Sequence, residues 1–446
     1  MKQCSIPSDV VIGYLCSIGK LLRHPLASNA GVLAFSQYVA TGVKLLTTIV
    51  AARLLGPKDY GVVSLSIAYP MLLWSFVSIK SISVTTRYIA NFRSTGQKED
   101  LKAMCNLGYK LDFFASIIAF VLVSITGGLV ARYVYNMPSI SWLMIAYGTS
   151  FPFLSLVGNS IAILTSWHKF RLLAALQICE QIIIFIFVFG FLVAGYGVPG
   201  VIFGMAGGNA VIGLIMFGAA TIILSRDGID HWWKASFRNL TSSLRKELAA
   251  FFGWNYLMVT LSGLLMQVPL MFLGRLRGPE EAGYYRIAMS IMTVGSYLET
   301  SLGRVSYPIL STRWDAKDQE NLKRSLELWT LRLGIPAGVL ILFIVPLLSI
   351  TVPIILGPNY TGMVLGAQVM VVGAAISAMF FWLIQFYYIS GNVGLWTKLY
   401  GFYTGLTIAL GWLVIQHGGF LGLAFLVTAG KILFLLVSLV ISFRRF

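Results

Sequence analysis

The sequence predicts an all-α polytopic membrane protein, with twelve transmembrane helices in two six-helix lobes related by a parallel repeat. Three observations carry that expectation. The chain of 446 residues is 57% hydrophobic and 11% charged, whereas soluble domains carry about 25% charge. Apolar runs long enough to cross a bilayer recur along it, and mean hydropathy is +0.82. Finally, Arg53-Leu-Leu-Gly-Pro-Lys-Asp-Tyr-Gly61 returns in the second half of the chain as Arg275-Leu-Arg-Gly-Pro-Glu-Glu-Ala-Gly283.

The two copies share R-x-x-G-P-x-[DE]-x-G. Gly-Pro cannot continue a helix, because proline lacks a donor and restricts its neighbour. The closing glycine frees the backbone to reverse. Each copy therefore reads as a tight polar hairpin between two spans, and a duplicated hairpin implies a duplicated domain. Further matches support it: Glu99-Asp-Leu-Lys102 with Glu320-Asn-Leu-Lys323, Tyr109-Lys-Leu111 with Leu331-Arg-Leu333, and Gly208-Asn209 with Gly430-Lys431. Six spans is an even number, so both halves run in the same direction about an axis along the membrane normal.

In chain order, residues 1–28 read as a cytoplasmic amphipathic segment, with Val10, Tyr14, Leu15 and Ile18 on one side and Lys20 and Arg23 beside them. It lacks the cleavage signature of a signal peptide. The N-lobe, 29–224, holds spans near 29–52, 61–89, 104–131, 140–165, 172–195 and 199–224. A cytoplasmic linker, 225–248, carries His231, Trp232, Trp233 and Phe237 in a basic segment, which suggests an interfacial helix. The C-lobe, 249–446, holds spans near 249–274, 283–310, 328–351, 361–389, 399–416 and 419–443. Gly200, Gly204 and Gly208 form a small-xxx-small face for close packing. Pro70, Pro152, Pro269 and Pro308 mark bends. Trp142, Tyr147, Trp167, Trp382, Tyr387, Tyr388 and Trp396 fall near span ends, where an aromatic belt is expected.

Net charge is +17. Twenty Lys and Arg fall in the termini and the loops on their side, against Arg53, Lys58, Arg132, Arg275 and Arg277 in the opposite loops. The positive-inside rule then puts both termini in the cytoplasm of an inner (plasma) membrane protein, with the hairpins facing outward. That topology accounts for the basic balance without a nucleic-acid partner. Cys4, Cys16, Cys105 and Cys179 have no paired spacing, so neither a disulfide framework nor a metal site is indicated.

The first hairpin, followed by Arg87-Tyr-Ile-Ala90, resembles the polysaccharide-biosynthesis or oligosaccharide-flippase family. That family includes the O-antigen and capsule repeat-unit flippases. It is similar to the lipid II flippases and to the multidrug and toxic compound extrusion transporters. The resemblance covers the whole chain. It implies an alternating-access transporter that flips an anionic undecaprenyl-diphosphate-linked oligosaccharide for lipopolysaccharide, exopolysaccharide or other surface polysaccharide synthesis. Implied partners are that lipid, membrane lipids, a glycan polymerase and glycosyltransferases; no cofactor is implied. Lipid II flippases usually carry two extra spans, and with none after Phe446 the repeat-unit branch is expected. The second hairpin has Ala282 where the first has Tyr60, so the tyrosine is not essential to both.

Charges inside spans are costly and normally face a partner or a wet cavity. Eight cations fall there: Lys44, Lys80, Arg87, Lys110, Arg286, Arg304, Arg332 and Lys431; the acids are Asp112, Glu180 and Glu299. Arg87 and Arg286 sit near span ends and read as interfacial. Lys44, Lys80, Lys110, Arg304, Arg332 and Lys431 are expected to line a cationic cavity, which attracts a diphosphate or acidic sugars. Lys110 and Arg332 hold equivalent places in the repeat. Pairs such as Lys110–Asp112 and Arg304–Glu299 do not face each other at helical spacing. Glu180 and Glu299 are candidates for ion coupling; Glu180 also suits a substrate hydroxyl, and both also suit holding helices together.

No H-E-x-x-H, G-x-x-x-x-G-K-[ST] or G-x-S-x-G is present. A transporter rather than an enzyme is therefore expected, driven by the substrate gradient, the membrane potential or a coupled ion. A drug or cation antiporter of the same superfamily would need an acid-dominated cavity. A membrane glycan polymerase would need large outward loops, which are short here. A scaffold for glycan enzymes is the remaining reading.

Overall fold

The computed structural model describes residues 25–78, 82–235, 242–316 and 319–443. Among these, every regular element is helical. The N-lobe comprises α1 (Pro25–Val77), α2 (Ile82–Ser94), α3 (Lys98–Leu129), α4 (Ser141–Gly148), α5 (Phe151–Ser166), α6 (Phe170–Val193) and α7 (Gly197–Arg226). The C-lobe comprises α8 (Ser242–Leu276), α9 (Pro279–Asp315), α10 (Gln319–Trp329), α11 (Ile335–Leu342), α12 (Ile344–Ile355), α13 (Val364–Met379), α14 (Leu383–Ile389) and α15 (Val393–Phe443). Nine stretches of the described residues are long and apolar enough to cross a membrane. Two of them, in α1 and α15, each hold two crossings joined at a single glycine. The more polar α9 adds one more, which gives the twelve expected.

Glycine sets these breaks. Gly56 (φ 78, ψ 170) interrupts α1, and Gly278 (φ 90, ψ −179) separates α8 from α9. That backbone region is open essentially to glycine alone. Pro57 and Pro279 then start the next helical segment, where a fixed φ and a missing N–H cost nothing. The repeat reaches further than the hairpins. The offset that carries Arg53 onto Arg275 also carries Gly197 (φ 55) onto Gly419 (φ 54), and both adopt positive φ at the start of the last crossing of their lobe.

Packing follows the small residues. A Cβ on Gly204 would lie 2.6 Å from the Val188 Cα, and one on Gly208 2.9 Å from the Ile184 Cα. The small-xxx-small face thus brings α7 onto the α6 backbone. The apolar core is distributed unequally. At the hairpin end one cluster crosses between lobes, with Ala52, Tyr60 and Leu65 joined to Ala282, Tyr285 and Tyr360. Away from it each lobe has its own cluster, around Tyr109, Trp167 and Trp232 in one and Trp382, Phe386 and Trp396 in the other. The apolar cores of the lobes merge at one end and are separate at the other, where hydrogen bonds between α1 and the C-lobe helices, such as Arg304 to Gln37 and Tyr256 to the Phe76 carbonyl, still join them.

Two expectations are corrected. Tyr147, Trp167, Trp382, Tyr387 and Trp396 are buried inside the lobes and do not form a belt; Trp142 and Tyr388 stay exposed. In four of them the polar tip finds a partner within the protein, Trp167 on Asp227 and Tyr147 on the Met71 sulfur among them. The Trp382 Nε1 donates to Thr330 Oγ1 (2.8 Å), and the Tyr387 hydroxyl to the Ser438 carbonyl (2.9 Å). The linker is not an interfacial helix over its described part. Trp232–Lys234 forms one 3-10 turn, and α8 already begins at Ser242. Trp232 is buried against Tyr109 and Phe217, with ring centroids 5.0 and 6.0 Å away, so it fills a gap in the N-lobe. Phe237 and residues 1–24 lie outside the described residues.

Candidate substrate cleft between the lobes

The repeated hairpins meet each other. A Cβ on Gly61 would lie 1.6 Å from the Pro279 carbonyl oxygen, and one on Gly283 2.4 Å from the Pro57 carbonyl oxygen. Each closing glycine is therefore needed because the other copy's proline carbonyl rests on it. The motif arginine of the first copy also crosses the interface. Arg53 Nη1 donates to the carbonyls of Ile354 (2.9 Å) and Ile355 (2.8 Å), at the negative end of α12. The Tyr360 hydroxyl donates to the Ala52 carbonyl at 2.7 Å. The motif acid has a different task in the second copy. Glu281 accepts from the Phe420 N–H at 2.6 Å and caps the segment that restarts after Gly419.

Tyr360 belongs to a third such turn, Leu356-Gly-Pro-Asn-Tyr-Thr-Gly362, where Gly357 has φ 105 and ψ 164. Its Leu-Gly-Pro repeats Leu55-Gly56-Pro57 and is the signal the sequence offers for it. The arginine three positions before the glycine is replaced by Ile354, so the full motif does not find it.

Below this closure a cleft separates the lobes. One part, about 580 Å³, is walled by Thr41, Lys44 and Thr48 of α1, Met266 of α8, and Arg286 and Thr293 of α9. A second, about 620 Å³, shares Thr41, Lys44 and Tyr297 with the first and is walled by Gln37, Gln177, Glu180, Gln181 and Arg304. Lys44 and Arg304 thus line one part with the acid Glu180, and Arg286 lines the adjoining part with Lys44. Hydrogen bonds between α1 and α9 border the cleft. Arg304 Nη1 donates to Gln37 Oε1 at 2.9 Å, and the hydroxyls of Tyr38 and Ser301 lie 2.8 Å apart. The ion pairs Arg93–Asp227 (3.8 Å) and Lys102–Glu99 (2.8 Å) both lie within the N-lobe, away from this cleft.

The structure sorts the charged residues named from sequence. Lys44, Arg304 and Glu180 come together in the cleft. Arg286, read from sequence as interfacial, joins them. Lys110 and Arg332 wall neither of these two parts of the cleft. Lys110 is exposed on the α3 face that also exposes Phe113, Phe114 and Ile117, and Arg332 is exposed between exposed Leu331 and Leu333. Long cationic side chains on such faces reach the membrane surface by snorkelling. Lys431 is half-buried on the α15 face that also carries buried Val427, Phe434 and Leu435, inside the C-lobe. Glu299 is also turned into the C-lobe, accepting from Ser377 Oγ at 2.7 Å. Asp112 accepts from Asn159 Nδ2 at 2.6 Å. Lys80 lies outside the described residues. No group of three or more metal-ligating side chains occurs among the described residues.

Solved structures share this architecture. An inward-facing multidrug resistance MATE family transporter of the MOP superfamily aligns with TM-score 0.74 at 13% identity, over 91% of this chain and 94% of that one. An outward-facing one gives TM-score 0.58 at 14% identity, over 96% and 97%. A MOP superfamily transporter from Pyrococcus furiosus, described by the reverse polarity of its binding pocket, gives 0.61 at 14%, over 96% and 97%. These likenesses show the fold: helices in two lobes, in a multi-pass membrane protein. No curated protein matches the sequence. The family model for polysaccharide biosynthesis proteins matches residues 26–314, from the first crossing through both hairpins and the cleft wall of α9. The chain belongs to that polysaccharide biosynthesis protein family.

Proposed function

We propose that this MOP-superfamily transporter flips an anionic polyprenyl-diphosphate-linked oligosaccharide across the inner membrane by alternating access. The observation that carries the reading is the cleft's charge, with Lys44, Arg286 and Arg304 against Glu180. Cations in a low-dielectric cleft raise the local concentration of anions. A diphosphate would enter between α1 and α9 while its polyprenyl tail stays in lipid. Both termini are taken as cytoplasmic and the hairpins as outward, so the interlocked hairpins hold the outer side shut during loading. Separation of Gly61 from Pro279 and of Gly283 from Pro57 would then open it. Glu180, which lines the cleft with Lys44, and Glu299, bonded to Ser377 in the C-lobe, are the groups proposed for ion coupling. A drug or cation antiporter fits less well, because a cationic drug would meet three like charges.

The test is flipping of an undecaprenyl-diphosphate-linked sugar by the purified protein in proteoliposomes. Lys44→Ala or Arg286→Ala should slow it at least about tenfold, the worth of one lost charge-assisted contact. Unchanged rates in both, with folding intact, would remove the cleft from the mechanism.

A further inference from the structure

The second part of the cleft has chemistry that a phosphate does not need. Gln177, Glu180 and Gln181 fall at i, i+3 and i+4 of α6 and so share one face of the helix. All three wall the cleft opposite Arg304. A diphosphate offers acceptors almost exclusively, so it gains nothing from a carboxylate and is repelled by it. A sugar hydroxyl donates and accepts at once, and an amide–carboxylate face answers both demands. Gln37 adds a donor of known orientation. An arginine can only donate, so the Arg304 bond fixes Gln37 Oε1 as the acceptor and leaves the amide N–H groups for other partners.

The repeat supplies an independent observation. The positions of the C-lobe that correspond to Gln177, Glu180 and Gln181 hold Leu399, Phe402 and Tyr403. The C-lobe is thus built without amides or an acid at this place on the helix; in the N-lobe Gln177 Oε1 accepts weakly from Ser36 Oγ of α1 at 3.4 Å, while Glu180 and Gln181 line the cleft beside it. We propose that the α6 face of Gln177, Glu180 and Gln181 is a saccharide subsite that reads an uncharged sugar adjoining the diphosphate held by Lys44 and Arg286. The subsite rests on the diphosphate reading above and adds to it the class of sugar. An acidic sugar is disfavoured, because its carboxylate would face Glu180.

The test uses the full chain in lipid nanodiscs and four probes: undecaprenyl diphosphate alone, and the same lipid bearing glucose, N-acetylglucosamine or glucuronic acid. The readout is the ratio of affinities for each sugar-bearing lipid and the bare one. The unmodified chain should bind at least one uncharged-sugar lipid about tenfold tighter than the bare lipid, as one or two net hydrogen bonds allow. The glucuronate lipid should gain nothing. The double variant Gln177→Ala, Gln181→Ala should bring the favourable ratio to about one, and Glu180→Gln, which keeps the shape, should let glucuronate gain. A favourable ratio that survives the double variant, a glucuronate lipid that binds tightest, or no sugar dependence at all would overturn the subsite. Loss of the diphosphate reading shows separately, as bare-lipid affinity that Lys44→Ala leaves untouched.

Discussion

The hairpin end and the cleft obey opposite rules of symmetry. At the hairpin end the two lobes contribute the same residues: Gly56 and Gly278 reverse the chain, Pro57 and Pro279 restart it, and Gly61 and Gly283 receive each other's prolines. In the cleft nothing is shared. The repeat places Met266, Phe402, Ser64 and Ile82 opposite Lys44, Glu180, Arg286 and Arg304 respectively. A contact between two copies of one element selects the same residue in each. A ligand without two-fold symmetry selects different ones. On the proposed function, what the repeat preserves would belong to the machine that opens and shuts, and what it discards to the substrate chemistry.

The largest effect should come from breaking the symmetric end. Gly61→Val places a side chain where the Pro279 carbonyl now sits, 1.6 Å from the added Cβ. No rotamer relieves a backbone clash, so the closed arrangement should lose about 3 kcal/mol, roughly a hundredfold in population. Ala282 is fully buried in the closed hairpins. In a cysteine-free background, Ala282→Cys should be shielded from a water-soluble thiol reagent and become reactive once Gly61→Val is added. Gly283→Val, with 2.4 Å to the Pro57 oxygen, should have the same effect more weakly. Persistent shielding in both would mean that the hairpins are not the closure.

Moving one charge across the asymmetric cleft is the next test. Lys44 and Met266 hold repeat-related positions and both wall the cleft. Lys44→Met with Met266→Lys preserves net charge and volume while changing lobes. Flipping should fall about tenfold and stay there, the loss expected when one charged contact to a phosphate is misplaced. Recovery of the full rate would show that the cleft needs only positive charge, and the asymmetry would carry no information.

The symmetric end is legible in the sequence and the asymmetric one only partly so. Gly56-Pro57 and Gly278-Pro279 are visible because backbone reversal leaves a mark in residue type. The cleft depends on which way a helix faces, and in a membrane that mark is faint, since lipid-facing and core-facing side chains are both apolar. Their equivalence in the repeat draws Lys110 and Arg332 toward the cavity on sequence grounds. By the rule above, that relation is a reason to look for them on the scaffold. Arg286 reads as interfacial because it lies so soon after Gly283 in sequence. The hairpins interlock so tightly that one turn below them is already cleft. Trp232 and Trp382 mislead in the same direction, as indole rings whose burial composition cannot show.

A smaller effect distinguishes the two hairpin acids. Glu281 caps the segment starting at Phe420, whereas Asp59, its counterpart, is exposed. Glu281→Gln removes a charge-assisted cap at a helix start, worth about 1 kcal/mol. Thermal unfolding in detergent should shift down by about 1–2 °C. Asp59→Asn should shift it less. The reverse order would mean that the capping role belongs to the N-lobe copy.

The smallest effect is expected where the repeat keeps a charge outside the cleft. Lys110 and Arg332 are repeat equivalents, and both lie on exposed faces among Phe113, Phe114, Leu331 and Leu333. A stem that lies along lipid with its charged head at the interface loses little beyond surface packing on truncation. The double variant Lys110→Ala, Arg332→Ala should therefore flip lipid within about twofold of the unmodified rate, since surface substitutions of this kind stay near about 0.5 kcal/mol. A loss as deep as that of Lys44→Ala would place a symmetric pair in the substrate path. The repeat would then no longer separate scaffold from chemistry.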